Sequence, residues 1–125
     1  MSALGAFNTQ LIRFFEEISE TYPEEKAIKG ALEALNGAKK INPKLILDLF
    51  YEHVYKDLNS AIISEDSDAV VGYAKQKIAN QFNEMSPALL IFDKHWYTMT
   101  EANQKAIWKY LKVLCKLCEN ARQPR

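Results

Sequence analysis

Lys105, Lys109, Lys112 and Lys116 recur at spacings of four, three and four. On a helix of 3.6 residues per turn they share an arc of roughly 60°. Ile107, Trp108, Tyr110, Leu111, Val113, Leu114, Cys115, Leu117 and Cys118 occupy roughly 220° of the remaining circumference. A helix resting on a single core needs an apolar stripe only a little over 100° wide. This one is therefore covered on two sides, either deep within its own domain or shared between that domain and another chain.

The same helical spacing runs through the rest of the sequence. Phe7, Leu11, Phe14 or Phe15, Ile18 and Tyr22 step by three and four and predict a first helix over 6–20. Thr21-Tyr22-Pro23-Glu24 has the form of a capping box and predicts that a second helix opens there. Its inner face is Ala27, Ile28, Ala31, Leu32 and Leu35, and Asn36-Gly37 is its expected left-handed stop. Asn42-Pro43 starts a helix over 43–60, with Leu45, Ile46, Leu47, Leu49, Phe50, Tyr51, Val54, Tyr55 and Leu58 around most of its surface.

The acidic run Ser64-Glu65-Asp66-Ser67-Asp68 leads into a helix over 67–83, with Val70, Val71, Ala74, Ile78 and Phe82 inward. Ser86-Pro87 favours helix over strand for Ala88 to Trp96. Thr98 or Thr100 then caps a last helix over 100–121, and Pro124 lies beyond its end. No repeat or linker divides the chain. The expectation is an all-α, compact single-domain bundle of five to six helices over 1–125, with helices 43–60 and 100–121 at its centre.

Composition narrows the class of protein. At 125 residues the chain is near the usual size of one domain, and 48% hydrophobic content supports a core. Sixteen basic and sixteen acidic side chains cancel, so no global field steers the protein toward nucleic acid or anionic lipid. Met1-Ser2-Ala3-Leu4-Gly5 lacks a charged n-region and a following apolar stretch, and nothing approaches the length of a membrane span. Two cysteines are too few to staple a secreted scaffold. These features predict an intracellular, soluble protein.

Candidate chemistry is thin. Cys115-Lys116-Leu117-Cys118 is a C-x-x-C, but it lies within a helix rather than at a helix start, and zinc would need His53 and His95 from elsewhere. Buried core cysteines are the plainer reading. His95 has Asp93 nearby, yet no Ser or Cys nucleophile is singled out beside either histidine. Glu16, Glu17, Glu20, Glu24 and Glu25 fit a solvated face better than an acid–base pair. Gly5, Gly30, Gly37 and Gly72 are too scattered for a phosphate loop. The chain is thus expected to be no enzyme, with no cofactor, no metal and no evident small-molecule substrate.

What remains is a surface for a partner. Residues 101–125 carry six basic side chains (the four lysines, Arg122 and Arg125) against Glu101 and Glu119, a local +4. Residues 1–37 carry six glutamates against Arg13, Lys26 and Lys29, a local −3. Opposite signs suit self-association or a foreign partner. Trp96, Tyr97 and Trp108 supply aromatic anchors beside cations. The expected partner-binding residues are therefore Trp96, Tyr97, Lys105, Trp108, Lys109, Lys112 and Lys116. The alternative is a nucleic-acid accessory using the lysines with Arg122 and Arg125, although arginine is scarce for base readout. The plainest reading of the lysine file is the wet edge of a buried helix.

Phe14-Phe15-Glu16-Glu17, Tyr22-Pro23-Glu24-Glu25, Lys39-Lys40-Ile41-Asn42-Pro43 with Leu49-Phe50, and Ile107-Trp108-Lys109-Tyr110-Leu111 together resemble uncharacterised small helical proteins of large DNA viruses that infect algae and protists. The resemblance covers most of the chain and brings no functional residue. It implies a viral, intracellular setting, as a virion component or a host-directed binder.

Overall fold

The computed structural model describes residues 2–80 and 85–122, with the Asn80 side chain left aside. Among them there is no strand, and these residues form six helical rods. Phe82, Pro124 and Arg125 lie outside the described residues. No helix among those described is long and apolar enough to cross a membrane.

The first rod, α1 (Ala3–Thr21), begins earlier than its apolar spacing predicts, because the Ser2 side chain caps it by accepting from Gly5 N–H at 3.0 Å. Its Phe7, Leu11, Phe14, Phe15 and Ile18 are buried, and it packs against α2 (Lys26–Ile41), α3 (Pro43–Phe50) and α7 (Glu101–Arg122). The 43–60 stretch expected at the centre contributes buried Ile46, Leu47, Phe50, Val54 and Leu58, and the rod it belongs to touches α1, α2, α7 and the helix over 67–80. In the 43–60 stretch Leu45 is 40% exposed, and Leu49, Tyr51 and Tyr55 are only half-buried.

Two local signals are overridden. Thr21 does not cap the second helix: its hydroxyl donates to Glu17 O at 2.8 Å, and the Tyr22 N–H continues α1 onto Ile18 O. Consequently α2 opens later, at Lys26. Nor does Asn36-Gly37 end α2. No glycine has positive φ among the described residues, and the Asn36 amide donates back to Leu32 O at 3.2 Å. Beyond that pair Ala38 packs onto the core, while Lys39 and Lys40 complement the negative end of the dipole.

Pro43 starts α3, but Asn42 makes no side-chain cap. Buried Asn8 of α1 instead donates to Pro43 O at 3.2 Å, tying the start of α3 to the core. The rod then widens into a π-helical turn, Tyr51–Tyr55, in which Lys56 N–H bonds to Tyr51 O, and continues as α4 (Lys56–Ile63). The extra residue in that turn rotates the faces of α4 relative to those of α3. It accompanies a change of neighbours, since α3 packs on α1 and α2 whereas α4 packs on α5 (Ser67–Asn80) and α7.

Between α4 and α5, Glu65 lies in the left-handed region at φ 55°. Glu65 N–H reaches Ile62 O at 3.1 Å and Asp66 N–H reaches Ala61 O at 2.8 Å, the paired bonds of a Schellman stop. Asp66 then opens α5 by accepting from Ala69 N–H at 3.2 Å. The Ser-Pro start gives helix as expected, α6 (Ser86–Lys94), followed by a 3₁₀ turn, Trp96–Thr98. Thr100 rather than Thr98 caps α7, accepting from Asn103 N–H at 3.2 Å.

On α7, Ile107, Trp108, Leu111, Leu114, Cys115 and Cys118 are buried, and Tyr110 and Leu117 pack against the same core. α1 covers one flank of the helix, while α4 and the π turn cover the other. The wide apolar arc is the middle of this fold.

Candidate functional site

With both flanks covered, the outward strip of α7 is the lysine file itself. Lys105, Lys109 and Lys116 are exposed, and Lys112 is half-buried. The file is not uniform. Lys105 pairs with Glu101 of its own helix at 3.5 Å, with both side chains more than three-quarters exposed, a contact of little energetic weight. Lys112 reaches across to Glu65 at the end of α4. Lys109 and Lys116 make no ion pair among the described residues.

α1 and α7 run antiparallel: Thr21 and Tyr22 lie beside Met99 and Asn103, while Gln10 and Arg13 lie beside Lys109 and Val113. Their seam opens into a groove of about 280 Å³ lined by Gln10, Arg13, Ala106, Lys109, Tyr110 and Val113. A smaller recess continues along the seam and shares Ala106 and Tyr110 with it; Phe14, Ile18, Met99 and Ile107 form its apolar part. Phe14 holds the Tyr110 ring at 5.4 Å. Burial, and then a hydrogen bond with Glu17, push the Tyr110 hydroxyl above its usual range, so it remains a neutral donor. Arg13, like Lys109, makes no ion pair among the described residues. The groove thus combines an apolar strip, including the 37% exposed Val113, with two cations that make no ion pair among the described residues, although Glu17 lies close by on Tyr110.

The expected anchors separate. Trp96 and Trp108 are 2% and 5% exposed and belong to the interior, where they meet each other at 5.0 Å and both meet Phe92. Neither presents a ring to a partner, because α6 and the 3₁₀ turn fold their aromatic faces onto α7. Tyr97 is 65% exposed and donates its hydroxyl to Asp68 at the start of α5. Arg122 lies 3.5 Å over the Tyr51 ring and 3.5 Å from Asp48, so it is engaged within the fold. Sequence reasoning missed Gln10 and Arg13; they are two of many polar positions on an amphipathic helix, and only the pairing with α7 brings them beside Lys109.

The remaining chemical candidates are also placed. Burial pushes the Cys115 and Cys118 thiols up to about 12 and about 11, the opposite of an activated pair. Neither His53 nor His95 lines the groove or the recess. Glu25 departs from the solvated face expected of its neighbours: its carboxylate is 11% exposed and lies against Lys94 and His95.

A scan against protein-family models, a search of curated proteins and a search of solved structures each return no match. Fold and surface define an all-α protein with one basic, partly apolar seam.

Proposed function

We propose that this protein is a non-enzymatic interaction module whose α1–α7 seam docks an acidic, partly apolar segment of a protein partner. The observation that carries this reading is the juxtaposition of Arg13 and Lys109, neither in an ion pair among the described residues, with the exposed edge of Val113 in one groove. Such a surface attracts carboxylates from a distance and gains affinity by covering the apolar strip. A segment bearing Asp or Glu one turn from a Leu or Phe matches it. The resemblance to viral helical proteins would make that partner a virion or host protein.

The test is titration of the labelled chain with an acidic amphipathic peptide, followed by amide chemical shifts. Shifts confined to 10–14 and 106–113, weakened by salt and lost in Lys109→Glu with Val113→Asp, support the seam. An equal response to a basic peptide of the same hydrophobicity rejects it. Self-association loses one of its arguments, because the acidic α1 and basic α7 are neighbours in one molecule rather than opposite poles.

Of the lysines and arginines named for the nucleic-acid alternative, Lys109 and Lys116 make no ion pair among the described residues, so that reading is tested as well. Trp96 and Trp108 are interior and offer no ring for base stacking. Fluorescence anisotropy with mixed DNA and RNA across a salt series decides it, and no binding at low salt removes it.

A further inference from the structure

At the C-terminal end of α1, beside the Tyr22 side of the smaller recess, the α1–α2 turn meets the C-terminus of α6. Glu24 and Glu25 come from the turn and His95 from the residue after α6, and one ligand atom of each lies within 4.8 Å of the other two. The residues are about 70 positions apart, so only the fold brings them together. From this convergence the geometry points to a binding site for a divalent ion of the zinc class, with Glu24, Glu25 and His95 as its three protein ligands.

Four features support it. His95 Nε2 and Glu25 Oε1 are 3.4 Å apart, long for a hydrogen bond. That distance is the edge of a tetrahedron whose metal–ligand bonds are about 2.0–2.1 Å. Both groups are pre-positioned: the Glu25 carboxylate is only 11% exposed, and the His95 ring is 20% exposed and stacked on Tyr22 at 4.3 Å. The Glu24 carboxylate is exposed and makes no ion pair among the described residues, leaving it able to swing in from the same turn. Finally, an imidazole beside two carboxylates selects a borderline ion over magnesium or calcium, which prefer oxygen ligands alone. Three protein ligands would leave a fourth position for water.

The competitor is also visible. Lys94 Nζ lies 3.1 and 3.3 Å from the two Glu25 oxygens, and its side chain is half exposed. The ammonium occupies the charge position a dication would take, and it can retreat into solvent when the ion enters. The site therefore has an unusual signature: loss of a ligand weakens binding, whereas loss of Lys94 strengthens it.

Isothermal titration calorimetry of the full chain with zinc chloride, near neutral pH, reads this directly. One equivalent should bind. The affinity should fall by about tenfold or more in Glu24→Gln and in His95→Ala. In Lys94→Gln it should rise by about threefold or more, since the ion then meets an unneutralised Glu25. Cobalt substitution should give ligand-field bands without thiolate charge transfer, which keeps Cys115 and Cys118 out of the site. Absence of binding, equal affinity in Glu24→Gln, weaker binding in Lys94→Gln, or a thiolate band would each overturn the assignment. Because Glu24 is exposed, its substitution leaves the fold intact even if His95→Ala does not fold. The three ligands share no residue with the Gln10–Arg13–Lys109 groove, so either proposal can fail alone.

Discussion

Glu65 is a non-glycine residue in left-handed backbone, where a Cβ costs roughly 1 kcal/mol. It closes α4 as a Schellman stop and also pairs with Lys112 on α7. The pair is about half exposed, which limits its contribution to about 0–1 kcal/mol. Glu65→Gly is therefore expected to raise the urea midpoint by the equivalent of about 0.5 kcal/mol with an unchanged slope. A lowered midpoint would show that the Lys112 contact outweighs the backbone strain. Cys115 and Cys118 allow a second check at this scale. With both thiols pushed far above neutrality by burial, they should resist Ellman's reagent in the folded chain and both react once it is unfolded. Their core role was legible from their place on the apolar arc of α7. The left-handed stop at Glu65 was not, because no glycine marks it and the acidic run around it reads only as an approach to α5.

At the level of elements, Gly37 sits inside α2, where the Asn-Gly signal would end the helix. A Cβ added there meets nothing within 4 Å, and the backbone is not left-handed. Gly37→Ala should therefore stabilise the protein by about 0.5–1 kcal/mol, read from thermal or urea unfolding. Destabilisation would mean that α2 does end near residue 37 in solution. The junction of α6 with α7 is held by the contacts of Phe92, Trp96 and Trp108, and by Gln104 Nε2 donating to Trp96 O at 2.7 Å. Trp96→Ala is expected to cost about 3–5 kcal/mol, the range for removing a large buried ring. If its cost is under about 1 kcal/mol, the ring is not buried as described. Helix identity was readable throughout because apolar residues recur at three and four. The start of α2 was not, since Thr21 bonds back into α1 and Glu25 is drawn to Lys94 and His95. The π turn left no trace in the spacing, as Phe50, Val54 and Leu58 continue a simple step of four. The candidate seam was half legible: the lysine file fixed its α7 side, while Arg13 became part of it only through the antiparallel pairing with α1.

For the molecule as a whole, Glu25 joins the α1–α2 turn to α6. The hydrogen bond from Lys94 holds its carboxyl below the usual range, burial opposes this, and His95 adds to the lowering. A depressed folded-state value stabilises the fold above the unfolded value of about 4.3 and is lost as pH falls through the folded value. Glu25→Gln, compared with the parent chain in chelator, should flatten the acid limb of the stability curve below about pH 5. An unchanged limb would mean that other carboxylates carry the acid response. The antiparallel pairing of α1 with α7 has a different consequence, in time rather than in equilibrium. It joins the two ends of the described chain, so its formation closes the longest loop in the fold, whereas α1–α2 and α5–α6 are local pairings. The seam should consequently zip after those hairpins. Ile107→Ala, in the seam beside Phe14 and Ile18, is then expected to accelerate unfolding while leaving the refolding limb nearly unmoved. The surface offered to a partner would be the last part of the molecule to assemble, and the first to come apart.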